Sequence, residues 1–164
     1  MDAIEKGADR LAQGLALIGA IGLLVMLVHV AADVATRNLA ARPIPATNEI
    51  VSRYWMVLIT FLPLAWVERS GAMVKVEVFD MIAGRGLSLA SDLLVAALSA
   101  AVYGVLAWVT WQEAAKAMRI GSFVDVMGTA IPTWPSTLLP PAGLALAALA
   151  VLVRAAARIA DRPA

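Results

Sequence analysis

Four apolar runs, separated by stretches rich in charged residues, proline and glycine, define the pattern along the chain. They cover about residues 11–35, 50–67, 87–111 and 134–153. A helix needs roughly 20 apolar residues to cross the hydrocarbon core of a bilayer, and each run approaches that length. The pattern therefore predicts an all-α integral membrane protein with four transmembrane helices. The runs leave no room for a separate soluble unit, so residues 1–164 are expected to form a single membrane domain.

Composition supports this class and excludes several others. The chain is 62% hydrophobic, with a mean hydropathy of +0.83, whereas soluble domains are roughly 45 to 50% apolar. A net charge of +1 gives no concentrated basic surface for a nucleic acid. Without cysteine and with a single histidine, the chain offers neither thiolate metal sites nor a haem held by two histidines. It also has no nucleotide-binding or catalytic motif. We therefore expect no cofactor, no metal and no enzymatic activity.

Basic residues near the ends of the runs predict the direction of the helices, because lysine and arginine tend to stay in the cytoplasm. The side of the two termini carries Lys6, Arg10, Arg69, Lys75, Arg85, Arg154, Arg158 and Arg162. The other side carries only Arg37, Arg42, Lys116 and Arg119. Both termini are therefore expected in the cytoplasm. The first run is long enough to be a retained helix rather than the short core of a secretory signal.

Polar residues at the outer ends of the first two runs are candidate functional positions. His29, Asp33 and Arg37 recur every four residues, which places them on one face of a helix. An ionisable group inside a membrane is costly and marks a site to test. Three interpretations stay open for this row: an Asp33–Arg37 ion pair near the interface, a contact with a partner subunit, or a proton relay.

Glu49 and Arg53 form a second pair four residues apart, where the second run begins. An unpaired arginine costs about 2.5 to 3.5 kcal/mol in the middle of a membrane and less near its edge. Pairing within the helix is one interpretation, and a contact with another helix or another subunit is the alternative.

Prolines predict irregular positions in two of the helices. Pro63 lies inside the second run and should kink it by removing a backbone hydrogen bond, as a fixed shape or as a moving hinge. Pro132, Pro135, Pro140 and Pro141 surround the start of the fourth run. Regular helix is expected only from about Pro140 or Pro141, with residues 134–139 forming an irregular turn.

The stretch from Gly71 to Arg85 mixes apolar residues with charges. Its apolar side could lie along the inner leaflet as an interfacial segment, with Arg69, Gly71, Lys75 and Glu77 at the cytoplasmic surface. The alternative is an ordinary loop, because the period of this stretch fits neither helix nor strand alone.

Three sequence segments in this order resemble the small permease subunit of tripartite ATP-independent periplasmic (TRAP) transporters, the DctQ-like or Q-type component. The segments are 48–53 (Asn-Glu-Ile-Val-Ser-Arg), 68–77 (Glu-Arg-Ser-Gly-Ala-Met-Val-Lys-Val-Glu), and Ile131-Pro132 followed by 140–143 (Pro-Pro-Ala-Gly). The second segment is similar to the family pattern Arg-x-Gly-x-His-[Ile/Val]-x-Val-[Asp/Glu], with Met73 where the family has histidine.

The resemblance implies a division of labour among three proteins in the bacterial inner membrane and periplasm. A large permease subunit would transport an organic acid with sodium, and a periplasmic substrate-binding protein would deliver it. The small subunit would brace the large one within the lipid bilayer. Its outer cations Arg42, Lys116 and Arg119, with Arg37 nearby, would be candidates for docking the binding protein.

Two other classes of protein share this composition. One is a self-contained, proton-coupled exporter built from four helices and acting as a homodimer, which would need a membrane-embedded carboxylate such as Asp33. The other is a membrane assembly or anchoring factor. The position of Asp33 near the end of a run, rather than its middle, favours the accessory subunit over the exporter.

Overall fold

The computed structural model describes residues 2–70 and 85–160, of which 2–5, 85–90, 158 and 160 are described by their backbone alone. Four helical spans in these ranges are long and apolar enough to cross a membrane: Lys6–Ala40, Thr47–Ser70, Ser91–Ile120 and Ser136–Ala157. The predicted architecture of four transmembrane helices is therefore confirmed. The predicted interfacial segment with Gly71, Lys75 and Glu77 lies outside the described residues.

The first span belongs to helix α1, Asp2–Ala40, which is longer than the apolar run 11–35. Hydrophobicity marks only the part of a helix that lipid surrounds, while alanine, glutamate, lysine and arginine in the flanks continue it in water. The helix ends where Ala41 adopts the left-handed conformation, with a φ of 50°. Pro43 and Pro45 follow directly and disfavour further helix.

The second span consists of short helices: α2, Thr47–Ile50; a π-helical turn, Val51–Trp55; α3, Met56–Phe61; and α4, Leu64–Ser70. The break between α3 and α4 falls at Pro63, the residue predicted to kink this span. Proline has no N–H to donate to the carbonyl four residues earlier, so the hydrogen-bond ladder is interrupted there. The backbone N–H groups of Trp66 and Val67 both donate to the carbonyl of Pro63 and restart the helix.

The third span belongs to α5, Arg85–Ile120, which continues nine residues beyond the apolar run that ends at Trp111. Its end is a Schellman motif, in which the N–H of Gly121 donates to Met118 and that of Ser122 to Ala117. Gly121 has a φ of 58°, a conformation that glycine adopts without steric cost.

A β-hairpin follows α5 in the stretch that the sequence indicated only as polar. Strand β1, Phe123–Val126, pairs antiparallel with β2, Thr129–Pro132. Met127 and Gly128 form the two-residue turn, and both have positive φ, at 53° and 82°. This is the geometry of a type I′ turn, which suits the twist of a hairpin.

The fourth span begins with a 3₁₀ turn, Ser136–Leu138, and continues as α6, Leu139–Ala160. This agrees with the predicted irregular segment before Pro140. Helix α6 reaches 22 residues because it extends seven residues past Val153, where the apolar run ends.

The spans form an open row. The second and fourth spans occupy the middle, α1 packs against the second span, and α5 packs mainly against α6. We call the end with residues 41–46 and the hairpin the hairpin end, and the opposite end, with the start of α1 and the end of α6, the terminal end. Buried apolar residues are few and mostly small: Ala12, Ala65, Ala114, Leu144, Ala147, Ala150 and Val151. Close helix approach through small residues is how membrane helices commonly pack.

Candidate functional site

Asp33 organises the polar cluster at the hairpin end. The residue is only 5% exposed, and both of its carboxylate oxygens accept hydrogen bonds. Oδ2 accepts from Arg37 Nη2 at 2.9 Å, one turn later on α1. Oδ1 accepts from the backbone N–H of Ile44 at 2.7 Å, which ties the loop after α1 back onto the helix. The structure thus contains the Asp33–Arg37 pair, one of the three interpretations of the row, and adds a second partner.

His29, the third member of the predicted row, has a different partner. The indole N–H of Trp55 donates to His29 Nδ1 at 3.4 Å, so the imidazole contacts the second span. Trp55 closes the π-helical turn, and its neighbour Tyr54 donates its hydroxyl to the carbonyl of Pro132 in the hairpin. The extra residue of a π turn rotates the side chains that follow it. The adjacent residues Tyr54 and Trp55 therefore reach different elements: Tyr54 contacts the hairpin and Trp55 contacts α1.

The predicted pair of Glu49 and Arg53 is also present. Arg53 Nε donates to Glu49 Oε2 at 3.1 Å, and both side chains are partly exposed. An exposed pair at this spacing contributes only about 0.3 to 0.5 kcal/mol. The pair balances the charge of Arg53 near the membrane surface. Glu49 also lines a cleft between residues 43–49 and the hairpin tip.

Three further cations lie at the hairpin end. Arg42 directly precedes the proline-containing segment that faces the hairpin tip, while Lys116 and Arg119 lie on the last turns of α5. Within residues 2–70 and 85–160, none of these three side chains makes an ion pair. Their charges are therefore available to an anionic partner outside the chain.

A second polar cluster lies at the terminal end. Glu68, 6% exposed, accepts a hydrogen bond from the Tyr103 hydroxyl at 2.6 Å, and its backbone carbonyl accepts one from Arg154. Arg69 donates from Nε to Asp9 Oδ1 at 2.5 Å. These contacts join all four spans, since the five residues come from α1, α4, α5 and α6.

Sequence reasoning missed most of the terminal cluster. Arg69 was grouped with Gly71, Lys75 and Glu77 in the interfacial segment, whereas the structure pairs it with the start of α1. A tyrosine within an apolar run was the available signal, because a buried phenol needs a hydrogen-bond partner. The hairpin was missed as well, although Val124 and Val126 alternate with Asp125 just before a glycine.

The geometry of the two polar clusters and the four spans defines a class of protein. Four apolar spans carry their hydrogen-bonded polar groups chiefly in two clusters, one at the hairpin end and one toward the terminal end. Among the described residues, no group of three or more histidine or carboxylate side chains is placed to hold a metal ion. The chain is an integral membrane protein whose polar contacts join its own helices.

The comparison with protein families then identifies the family. Residues 26–161 match the model of tripartite ATP-independent periplasmic transporters, DctQ component. The chain belongs to this family, so it is a small membrane component of a TRAP transporter and works with partner subunits. No curated protein and no solved structure matches it.

Proposed function

We propose that this chain is the non-catalytic small subunit that braces the large permease subunit of a sodium-coupled TRAP transporter for organic acids. It would lie in the bacterial inner membrane with both termini in the cytoplasm. The open row of helices is the observation that supports this most strongly, because both edge helices leave apolar faces uncovered. Sodium coupling and the organic acid are inferred from the family and would belong to the large subunit.

The edge helices fit a large membrane partner. On α1, Leu17, Leu24 and Val28 are spaced by seven and four residues, which places them on one face, and all three are exposed. On α5, Leu94 and Leu98 form a similar exposed pair. Lipid can cover such faces, so exposure alone does not require a protein. A row without a closed core gains rigidity, however, when a larger subunit packs along it.

Site-specific photo-crosslinking in cells that produce all three subunits tests the brace. We expect a crosslinker at Leu24 or Leu98 to capture the large subunit. The matched control is a crosslinker at Ala147, which is fully buried between the central helices. The proposal is wrong if neither edge position captures the large subunit, or if the large subunit purifies with unchanged yield and stability when this chain is absent.

The competing function, a self-contained proton-coupled exporter, finds less support in the geometry. A coupling carboxylate has to exchange protons and change partners during transport. Asp33 instead has both oxygens engaged, by Arg37 and by the backbone of Ile44. Transport by this chain alone in liposomes, abolished by Asp33→Asn, would reverse this judgement.

We also propose that the hairpin end contributes to docking the periplasmic substrate-binding protein. Arg42, Lys116 and Arg119 are the candidate contacts, because they are cationic and make no ion pair among the described side chains. Arg42 has the most suitable place, next to the segment that faces the hairpin tip. At the tip, Met127 is 90% exposed in the two-residue turn.

Charge reversal measures this contribution. Arg42→Glu should slow association of the binding protein with the assembled membrane complex, and the difference should shrink as salt is raised. Lys6→Glu, at the terminal end, is the matched control and should leave the association rate unchanged. An unchanged rate for the separate reversals at Arg42, Lys116 and Arg119 would exclude docking through these cations.

A further inference from the structure

The hairpin-end half of α5 carries a surface that the brace does not explain and of which the docking proposal uses only the two cations. Residues 108, 111, 112, 115, 116 and 119 follow the repeat of a helix and therefore lie along one face. They line a depression of about 380 Å³ that contains the two tryptophans Trp108 and Trp111, the amide of Gln112, and the cations Lys116 and Arg119. Both indoles are exposed.

An apolar groove continues directly from this depression. It has a volume of about 610 Å³, lies between α5 and α6, and shares Trp108 and Trp111 with the cationic depression. Gly104 and Ala107 line it on the α5 side, and Ala142 and Ala145 on the α6 side. An apolar groove that continues into a depression with two cations suits the two parts of a lipid: hydrocarbon along the groove and an anionic group at its end.

The depth of these residues in the membrane agrees with an apolar groove in the hydrocarbon and two cations at the headgroups. The apolar run of α5 ends at Trp111, and tryptophan favours the boundary between hydrocarbon and headgroups. At a rise of 1.5 Å per residue, Lys116 lies about 7.5 Å and Arg119 about 12 Å beyond that level. Helical side chains lean toward the N-terminus of their helix, which in α5 is toward the bilayer. Both cations can therefore reach headgroup phosphates, which occupy a layer of about 5 to 7 Å.

The surrounding charges also permit an anion. Lys116 and Arg119 make no ion pair among the side chains that the structure describes, and the indole N–H groups of Trp108 and Trp111 make no hydrogen bond there. Glu113 is the nearest carboxylate along the helix, but it lies on the adjacent face and outside the depression. The depression thus carries two cations, together with the indole and amide donors of its other residues.

We propose that this face of α5 binds an anionic phospholipid, with its phosphate between Lys116 and Arg119 and one acyl chain in the groove between α5 and α6. A purely apolar helix of the large subunit would fill the groove but would leave the two cations without a partner, so the charge pattern favours the lipid. In this proposal Lys116 and Arg119 bind the lipid, and Arg42 is left as the docking contact. The sequence had placed all three cations in one docking group.

Lipid titration of the purified chain tests the proposal. In a neutral detergent, dioleoylphosphatidylglycerol should raise the unfolding temperature more than dioleoylphosphatidylcholine, and it should remain bound in native mass spectrometry. Lys116→Gln or Arg119→Gln alone should weaken phosphatidylglycerol binding by about fivefold, and the double variant with both changes should weaken it by up to about thirtyfold. The matched control is Lys6→Gln with Arg10→Gln at the terminal end, which should leave it unchanged.

Two further measurements distinguish the source of the phosphate and the occupant of the groove. Glycerol phosphate without acyl chains should not stabilise the chain, and Ala145→Leu, a change at an exposed groove position, should weaken lipid binding without unfolding the protein. The proposal is overturned if phosphatidylcholine binds equally well, or if the double variant binds phosphatidylglycerol normally. It is also overturned if a crosslinker at Ala145 captures the large subunit, or if the double variant loses only the binding protein.

Discussion

Helices α5 and α6 have the same mean hydropathy over their most apolar stretches, yet they occupy opposite kinds of position in the row. In α6, 39% of that stretch is buried inside the protein, whereas in α5 none of it is. Hydropathy measures whether a segment prefers a bilayer to water, and lipid satisfies that preference as well as protein does. It therefore identifies both helices as spans without indicating which one lies in the centre.

The difference comes from where the small residues lie and what faces them. In α6, Gly143 sits directly against the backbone of Phe61, at the break that Pro63 makes in the second span. In α5, Gly104 has no neighbouring atom within contact distance of the place where a Cβ would be. A glycine thus marks close packing in one helix and an open surface in the other. Substitutions that add the same atoms at both positions test this difference between α5 and α6.

The largest effect is expected for Gly143→Val. Its Cβ would overlap the carbonyl oxygen of Phe61 and come within 2.8 Å of the carbonyl carbon, and backbone cannot move aside as a flexible side chain can. We expect a loss of about 3 kcal/mol or more in the free energy of unfolding, at the upper end of overpacking effects. Denaturation by dodecyl sulfate in mixed micelles measures it.

The matched control is Gly104→Val on α5, where the added atoms meet open space. It should leave the free energy of unfolding almost unchanged. Equal losses for the two valine variants would mean that the packing difference between α5 and α6 does not determine their stability.

A smaller effect is expected at α1, where one glycine packs against a neighbouring helix and another glycine of the same helix faces open space. A Cβ at Gly19 would lie 2.7 Å from Cγ of the Pro63 ring, whereas one at Gly14 would meet nothing. Gly19→Ala should destabilise the protein by about 1 to 3 kcal/mol, because the ring is held in the break of the second span. Gly14→Ala should be neutral or stabilising by up to about 1 kcal/mol, from helix propensity. A stabilising Gly19→Ala, by the same denaturation, would contradict the close contact between α1 and Pro63.

These cases show what the sequence could and could not predict. The number of spans followed from length and hydropathy, and the break at Pro63 followed from the chemistry of proline. The pairs Asp33–Arg37 and Glu49–Arg53 were accessible because their spacing brings them together on one helix. Each of these predictions needs only local geometry.

Contacts between distant residues were not accessible in this way. The bonds from Tyr103 to Glu68 and from Tyr54 to Pro132 join residues 35 and 78 positions apart, so they depend on the order of helices in the row. That order depends on which small residues face each other, and a single sequence with many alanines allows several arrangements. The hairpin was missed for another reason, since Met127 occupies a turn position where asparagine or glycine is the usual signal.

The bond between Tyr103 and Glu68 gives α5 a second attachment besides its packing on α6, because it joins the exposed helix α5 to the second span. Tyr103→Phe removes the donor and leaves a buried carboxylate with one partner fewer. We expect a loss of about 0.6 to 1.7 kcal/mol, which extends from the average to the largest value measured for hydrogen bonds between membrane helices. Thr110→Val is the control on the same helix, since that hydroxyl bonds only to carbonyls of its own helix. If the two variants behaved alike, α5 would be held by its packing on α6 alone.

The smallest effect is expected in the hairpin, which connects α5 to α6. Met127→Asn should stabilise the turn by up to about 1 kcal/mol, since asparagine tolerates the left-handed conformation better than methionine. Gly128→Ala should cost a similar amount, because its φ of 82° disfavours a side chain. Hydrogen exchange at the backbone amides of Val126 and Thr129 measures both.

Neither change should alter exchange in α5 if helix packing and the Tyr103 bond hold that helix in the row. If Gly128→Ala instead increased exchange along α5, the hairpin would be what attaches the edge helix, and the contrast with α6 would originate outside the membrane.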